Sequence, residues 1–261
     1  MQGHTQSLKN REIEAKKQKS KNMRMSWLLL AATLLGLSMF SLFTIGSTIN
    51  PKNSVQQKAS ILKDVAEVDS WELILVNSKN VVPRDFTVDL IPFQNTRVDS
   101  RIADSLQKMI DSAKDEGITL SVCSGFRSVS EQDKLYKAKC LIYTTAGYSD
   151  ENSKNLTSKY LQMGGASEHH TGLAVDLLTD NVTDLDEGFA KTPAYTWLEE
   201  NAAKYGFIER YPKDKSQITG IDWEPWHYRY VGEKNAEAIK SKNLCLEEYL
   251  QDMYSKPKGF G

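Results

Sequence analysis

Cysteine is scarce in this chain: three among 261 residues, none in a Cys-x-x-Cys pair, which excludes a disulfide framework and a cysteine metal site. Cys123, Cys140 and Cys245 read as small buried hydrophobes, and their spacing leaves a Cys123–Cys140 bridge open. An excess of one charge is missing too. The 33 Lys and Arg stand against 34 Asp and Glu, a net of -1, so no nucleic-acid partner is expected. There are only four histidines and no His-Glu-x-x-His helix motif. Internal repeats are absent. Ser60–Lys63 and Ser105–Lys108 both match Ser-x-x-Lys, yet no Lys-Thr-Gly follows, which excludes a serine peptidase of that pattern.

The balanced total hides an asymmetry. Residues 1–26 carry seven Lys or Arg against Glu12 and Glu14, a net of +5, so the rest of the chain carries -6. Between them, Trp27 to Ile49 is a run of 23 residues without a charge, WLLLAATLLGLSMFSLFTIGSTI. As a helix that run is long enough for ~30 Å of hydrocarbon. It exceeds the apolar core of a secretory signal, and no Ala-x-Ala closes it, although Gly46-Ser47-Thr48 leaves cleavage open. An uncleaved anchor is the expectation. The positive-inside rule then places 1–26 in the cytoplasm, 27–49 in the cytoplasmic membrane, and a polar stalk (50–69) and a folded domain (70–261) outside the cell.

Along that domain, Trp71–Val76 reads as a short strand and the stretch with Pro83 and Pro92 as a loop. Ile102, Leu106, Met109, Ile110 and Ala113 recur at helical spacing after a capping Asp99. A strand over Ile118–Cys123 precedes a capping box at Ser128–Glu131, which opens a helix to about Lys139. Residues 150–163 form a polar helical insertion. Strands follow at Leu173–Leu178, Phe207–Tyr211 and Trp226–Val231. Helices lie between and after them, the first starting at Thr192-Pro193 and ending before Gly206. Strands mixed with helices, without strict alternation, predict an α+β fold with a small antiparallel sheet.

Two fragments carry chemistry. In Ser167–Asp176 (SEHHTGLAVD) a His and an Asp stand seven apart across Gly172, which permits a turn that aims both at one ion. In Glu224-Pro225-Trp226-His227 a Glu and a second His stand three apart among aromatics. Two imidazoles, one ligating carboxylate and one spare carboxylate are the parts of a hydrolytic zinc site with an open fourth position. His170 neighbours His169 and points elsewhere, and His4 lies in the basic tail. Tyr228, Arg229 and Tyr230 alternate along the last strand, where one face is expected to line the pocket.

Ser-x-His-x-x-Gly-x-Ala-x-Asp followed by Glu-x-Trp-His resembles the zinc D-Ala-D-Ala peptidases of the VanY/VanX type, within the LAS metallopeptidase group. The resemblance extends over roughly 70–250 through LILVN (73–77), SGFRS (124–128) with Gln132, RYP (210–212) and EPWHYRYVG (224–232), and is closest to VanY carboxypeptidases. Phe126 stands where Tyr is common. The resemblance implies a LAS/hedgehog-like fold, one Zn²⁺ per chain held by His169, Asp176 and His227, and Glu224 as general base. It also implies Arg127 as the cation for the oxyanion, and Ser167 and Gln132 as substrate contacts, with Trp226 as a wall beside the metal. The implied reaction removes the terminal D-Ala of a peptidoglycan stem pentapeptide, a step that contributes to glycopeptide (vancomycin) resistance. The alternatives are L,D-carboxypeptidase trimming of tetrapeptides and an inactive wall-binding module. A non-ligand Glu224 argues against the last.

Overall fold

The structure, a computed structural model, describes residues 71–255. The basic tail, the apolar run and the stalk expected at 50–69 lie outside the described residues. Among the described residues no helix is long and apolar enough to cross a membrane.

Strands β1 (Leu90–Phe93) and β2 (Thr96–Asp99) form an antiparallel hairpin where the sequence reads as a loop. Pro92 sits inside β1, opposite Arg97. Both strands of a two-stranded sheet are edges, where a residue without an N–H is tolerated. Gln94 supplies the positive φ of the turn (49°) in place of the Gly or Asn that would have signalled it. Asp99 then caps a 3-10 turn that buries Ile102, accepting from Arg101 N at 3.0 Å, and α1 (Ala103–Asp115) buries Leu106, Met109, Ile110 and Ala113, the rest of the expected stripe.

After β3 (Ser121–Ser124), the capping box at Ser128 and Glu131 opens α2 (Val129–Thr145) as expected, and the helix runs beyond Lys139. The polar insertion is α3 (Asp150–Thr157). Then come β4 (Ala174–Leu178), α4 (Pro193–Asn201) with a 3-10 turn to Tyr205, β5 (Phe207–Glu209), α5 (Ser216–Thr219), β6 (His227–Tyr230), α6 (Glu233–Ser241) and α7 (Leu246–Ser255). The four-stranded sheet has the order β3-β4-β6-β5 with every pair antiparallel. The result is α+β, with small antiparallel sheets and helices.

Leu106 and Met109 of α1 join Val122, Val175, Leu177 and Tyr228 of the sheet in the main core. Burying each such side chain stabilises the fold by roughly 1.5–3 kcal/mol. A second cluster packs Ile239 of α6 and Leu246 of α7 on Ile208 and Val231. Two expectations fail. Trp71–Leu73 is a 3-10 turn and not a strand, because the carbonyls of Glu72 and Ile74 accept from the buried Arg229 Nη2 at 2.9 and 2.8 Å instead of from a ladder. Only Cys245 is buried. Cys123 is exposed, Cys140 is half-buried, and all three thiols are free, so the Cys123–Cys140 bridge is not made.

Candidate metal centre

Three strands set the site. In the sheet register Ser124 of β3 lies opposite Asp176 of β4, and Asp176 lies opposite His227 of β6. Polar residues thus form one row across a sheet whose neighbouring positions are apolar. His169 arrives from the 3-10 turn Glu168–Thr171, which Gly172 ends with φ 67°. A Cβ at Gly172 would also come within 2.7 Å of Asp99 N, so the turn needs glycine for its conformation and for its space. Glu224 and His227 are the ends of a turn closed by His227 N donating to Glu224 O at 3.1 Å, with Pro225 at the second position that proline favours. That turn aims both side chains at the same place.

His169, Asp176 and His227, all buried, offer ligand atoms that lie within 4.8 Å of one another. His169 Nε2 is 3.2 Å from Asp176 Oδ2, and His227 Nδ1 is 2.9 Å from Asp176 Oδ1. A tetrahedral Zn²⁺ with bonds of ~2.0–2.2 Å sets its ligand atoms roughly 3.3 Å apart, so the donor set fits this ion. The tautomer of His169 follows from its partner. Nδ1 lies 2.7 Å from the carbonyl of Gly125, which can only accept, so the proton is on Nδ1 and Nε2 is free for the ion. His170 is spent on the backbone: Nδ1–H donates to Arg127 O at 2.6 Å and Nε2 accepts from Gly165 N at 3.0 Å. Its exclusion from the ligands stands.

Electrostatics divide the four acidic and basic groups. Burial alone would raise Asp176, but the two imidazoles more than offset it and hold the carboxyl well below the usual carboxylate range. Burial lowers His169. It also opposes a charged His227, yet the carboxylates of Asp176 and Glu168 outweigh it and lift that ring to about 9. Glu224 is different. Burial pushes it up to about 8, although His227 and Arg127 pull the other way. A carboxyl that exchanges its proton near neutral pH is suited to general acid–base work.

A cavity of about 530 Å³ opens over these groups, bordered by His169, Asp176, Glu224 and His227, and by Arg127, Gln132, Ser167 and Trp226. The expected metal, catalytic and substrate-contact residues therefore all meet one cavity. Arg127 is held from two sides: Nη1 donates to Gln132 Oε1 at 2.6 Å and Nη2 to Ser124 Oγ at 2.7 Å. Gln132 donates its other end to Gln162 O at 2.6 Å, so both halves of its amide are engaged within the protein. Ser167 makes no cap hydrogen bond to the turn that follows it. Trp226 is buried in the core beside the cavity, as a wall would be.

One expectation is corrected. None of Tyr228, Arg229 and Tyr230 borders this cavity. Tyr228 and Tyr230 belong to the core, and Arg229 turns to Glu168 at 2.8 Å. The sequence reading also passed over Glu168 and Tyr211. The ring of Tyr211 lies 4.9 Å from that of His227, and its place in RYP (210–212) is the local hint of it.

The profile of the family described as "VanY: D-alanyl-D-alanine carboxypeptidase" matches residues 95–233, a span that contains every residue of the site. A D-alanyl-D-alanine carboxypeptidase of Enterococcus faecalis is 38% identical over 200 residues, 76% of this chain and 73% of the relative. Among solved structures, a vancomycin-resistance D,D-pentapeptidase VanY mutant in complex with Zn(II) is 41% identical, with 69% of this chain and 99% of that one covered at a TM-score of 0.63. VanYB in complex with D-alanine-D-alanine is 40% identical, covering 70% and 98%, at 0.64. The LD-carboxypeptidase LdcB is 35% identical, covering 69% and 86%, at 0.62. Matching family profile, relatives and solved structures all converge on the same stretch, and the chain belongs to the VanY family of D-alanyl-D-alanine carboxypeptidases.

Proposed function

We propose that the protein is a zinc D,D-carboxypeptidase that removes the terminal D-Ala from peptidoglycan stem pentapeptides, and so removes the target of glycopeptide antibiotics. The observation that carries this reading is the row of Asp176 and His227 beside His169, with Glu224 buried next to them and left over as a fourth, non-ligating group. His169, Asp176 and His227 would hold the ion. Zinc bound there supplies Lewis-acid activation of water and of the scissile carbonyl. Glu224 takes the proton of the attacking water on its carboxylate and returns it to the amine of the departing D-Ala as the C–N bond breaks. Arg127, fixed by Gln132 and Ser124, presents its guanidinium to the oxyanion. Gln132 acts by holding Arg127, and Ser167 and Trp226 border the peptide.

The uncharged run at 27–49 and the +5 tail before it support a single-pass anchor with the tail cytoplasmic and residues 70–261 outside, where the stem peptides are. Protease added to intact cells then digests the domain and spares a tag on the tail. Substrate is tested with the detergent-solubilised full chain and synthetic penta-, tetra- and dipeptide stems, read by mass spectrometry. The expected product is tetrapeptide plus one D-Ala, abolished by chelator, restored by zinc and indifferent to β-lactams. Consumption of tetrapeptide with pentapeptide left intact would replace the D,D assignment with an L,D one.

A further inference from the structure

Glu168 is fully buried, and its two carboxylate oxygens differ in their surroundings. Oε1 accepts from Arg210 Nε and from Arg229 Nη1, each at 2.8 Å. Arg210 in turn forms a bidentate pair with Glu247 of α7, at 2.9 and 2.7 Å. Oε2 has no hydrogen-bond partner, and neither has the buried Nε2 of His227. These two orphans face each other at 3.9 Å, too far for a hydrogen bond and too close for anything between them. A carboxylate oxygen accepts and a protonated ring nitrogen donates, so each is the partner the other lacks. The opposite nitrogen of the same ring, Nδ1, is the one turned toward Asp176 at 2.9 Å.

We propose that Glu168 is a positioning residue of the metal centre: its Oε2 accepts Nε2–H of His227 once the ion is bound, fixing the tautomer that offers Nδ1 as the ligand, while the Arg210–Glu247 pair fastens that carboxylate to α7. The proposal rests on the metal-site reading above. His169 and His227 then ligate through different nitrogens. His169 uses Nε2 and is oriented by a backbone carbonyl, and His227 uses Nδ1 and is oriented by a buried carboxylate. Partners of this kind raise ligand basicity and lock ring orientation, and losing one typically weakens metal binding by roughly 10–100-fold. A carboxylate whose role is only to neutralise two buried arginines would leave metal affinity alone.

The test compares zinc affinity and zinc release, followed with a competing chromophoric chelator, in the full-length wild type, Glu168→Gln and Glu168→Ala, with circular dichroism reporting the fold. Glu168→Gln keeps shape and an acceptor oxygen and is expected to bind about tenfold more weakly; Glu168→Ala falls toward the hundredfold end. A folded variant that binds zinc within about twofold of wild type overturns the proposal and leaves the metal site standing. A wild type that binds no zinc overturns the metal site and the proposal with it. Should both variants fail to fold, long-range proton–nitrogen spectra of histidine-labelled, zinc-loaded wild type decide. Nε2 of His227 is expected to carry a slowly exchanging proton and Nδ1 the metal, and a metal on Nε2 sinks the assignment.

Discussion

The floor and the rim of the cavity are built on opposite terms. On the floor, His169, Asp176, Glu224 and His227 are buried, come from two turns and two paired strands, and are linked to one another by contacts of 2.9 to 3.8 Å. The rim is made by Lys139 and Tyr143 of α2, Tyr160 after α3, and Leu185, Asp186 and Glu187 in the loop after β4. Of these only Tyr143 is half-buried, and the others are exposed. Fixed geometry belongs where bonds are made and broken, and adaptable surface where a peptide is chosen. VanYB in complex with D-alanine-D-alanine and the LD-carboxypeptidase LdcB match this chain with TM-scores of 0.64 and 0.62, so backbone similarity alone does not select between their substrates.

The largest effect is expected on the floor itself. His169→Ala, Asp176→Ala or His227→Ala each removes a donor to the ion, and metal analysis of the purified variants should show zinc and turnover lost together. Retention of stoichiometric zinc by any of them would remove that residue from the ligands.

Next comes the pair proposed to act in the reaction without holding metal. Glu224→Ala should keep its zinc and fold while turnover falls toward ~10⁴-fold, since one carboxylate serves both proton transfers. Arg127→Ala should also keep zinc and lose about 10²–10³-fold, as a deleted oxyanion donor does. Loss of zinc from Glu224→Ala would erase the distinction between ligand and base.

Rim substitutions should act on choice alone. Tyr160→Ala and Lys139→Ala are expected to raise KM for pentapeptide by about tenfold, leaving zinc content unchanged and kcat within about threefold. A hundredfold fall in kcat would place the rim within the chemistry.

The smallest effect separates burial from catalysis. Burial lifts Glu209 from 4.5 to about 7, against the hydrogen bond it accepts from Trp223 Nε1 at 2.7 Å. Because its pKa in the fold lies above the unfolded value, the stability it contributes is complete below about pH 4.5 and is lost as pH rises through 7. Glu209→Gln should therefore be more stable above pH 7, by at most about 3 kcal/mol, and equal to wild type near pH 4. Urea unfolding of zinc-free protein at pH 4 and 9 measures this, and a gain at the acid end would reverse the sign.

The candidate site was legible in the sequence because its residues stand in local patterns: a glycine turn between His169 and Asp176, a proline turn between Glu224 and His227. The α1 stripe and the Ser128 capping box were legible for the same reason, since both are set within a turn or two of chain. What escaped depends on distant partners. Trp71–Val76 reads as strand until Arg229, more than 150 residues away, claims its carbonyls. Glu168 looks like a solvated acid until Arg210 and Arg229 are brought to it, and nothing local tells that the oxygen of Gln132 accepts from Arg127. The β1–β2 hairpin was hidden by a proline within a strand and by Gln94 in a position glycine usually fills.

The cross-strand match of Asp176 with His227 also ties any gain from metal binding to the strand register. A slip of β6 by one residue would set Trp226 or Tyr228 opposite Asp176 and turn the imidazole to the far side of the sheet. A mispaired chain has no place for zinc, whereas the correctly paired one gains RT ln(1 + [Zn]/Kd).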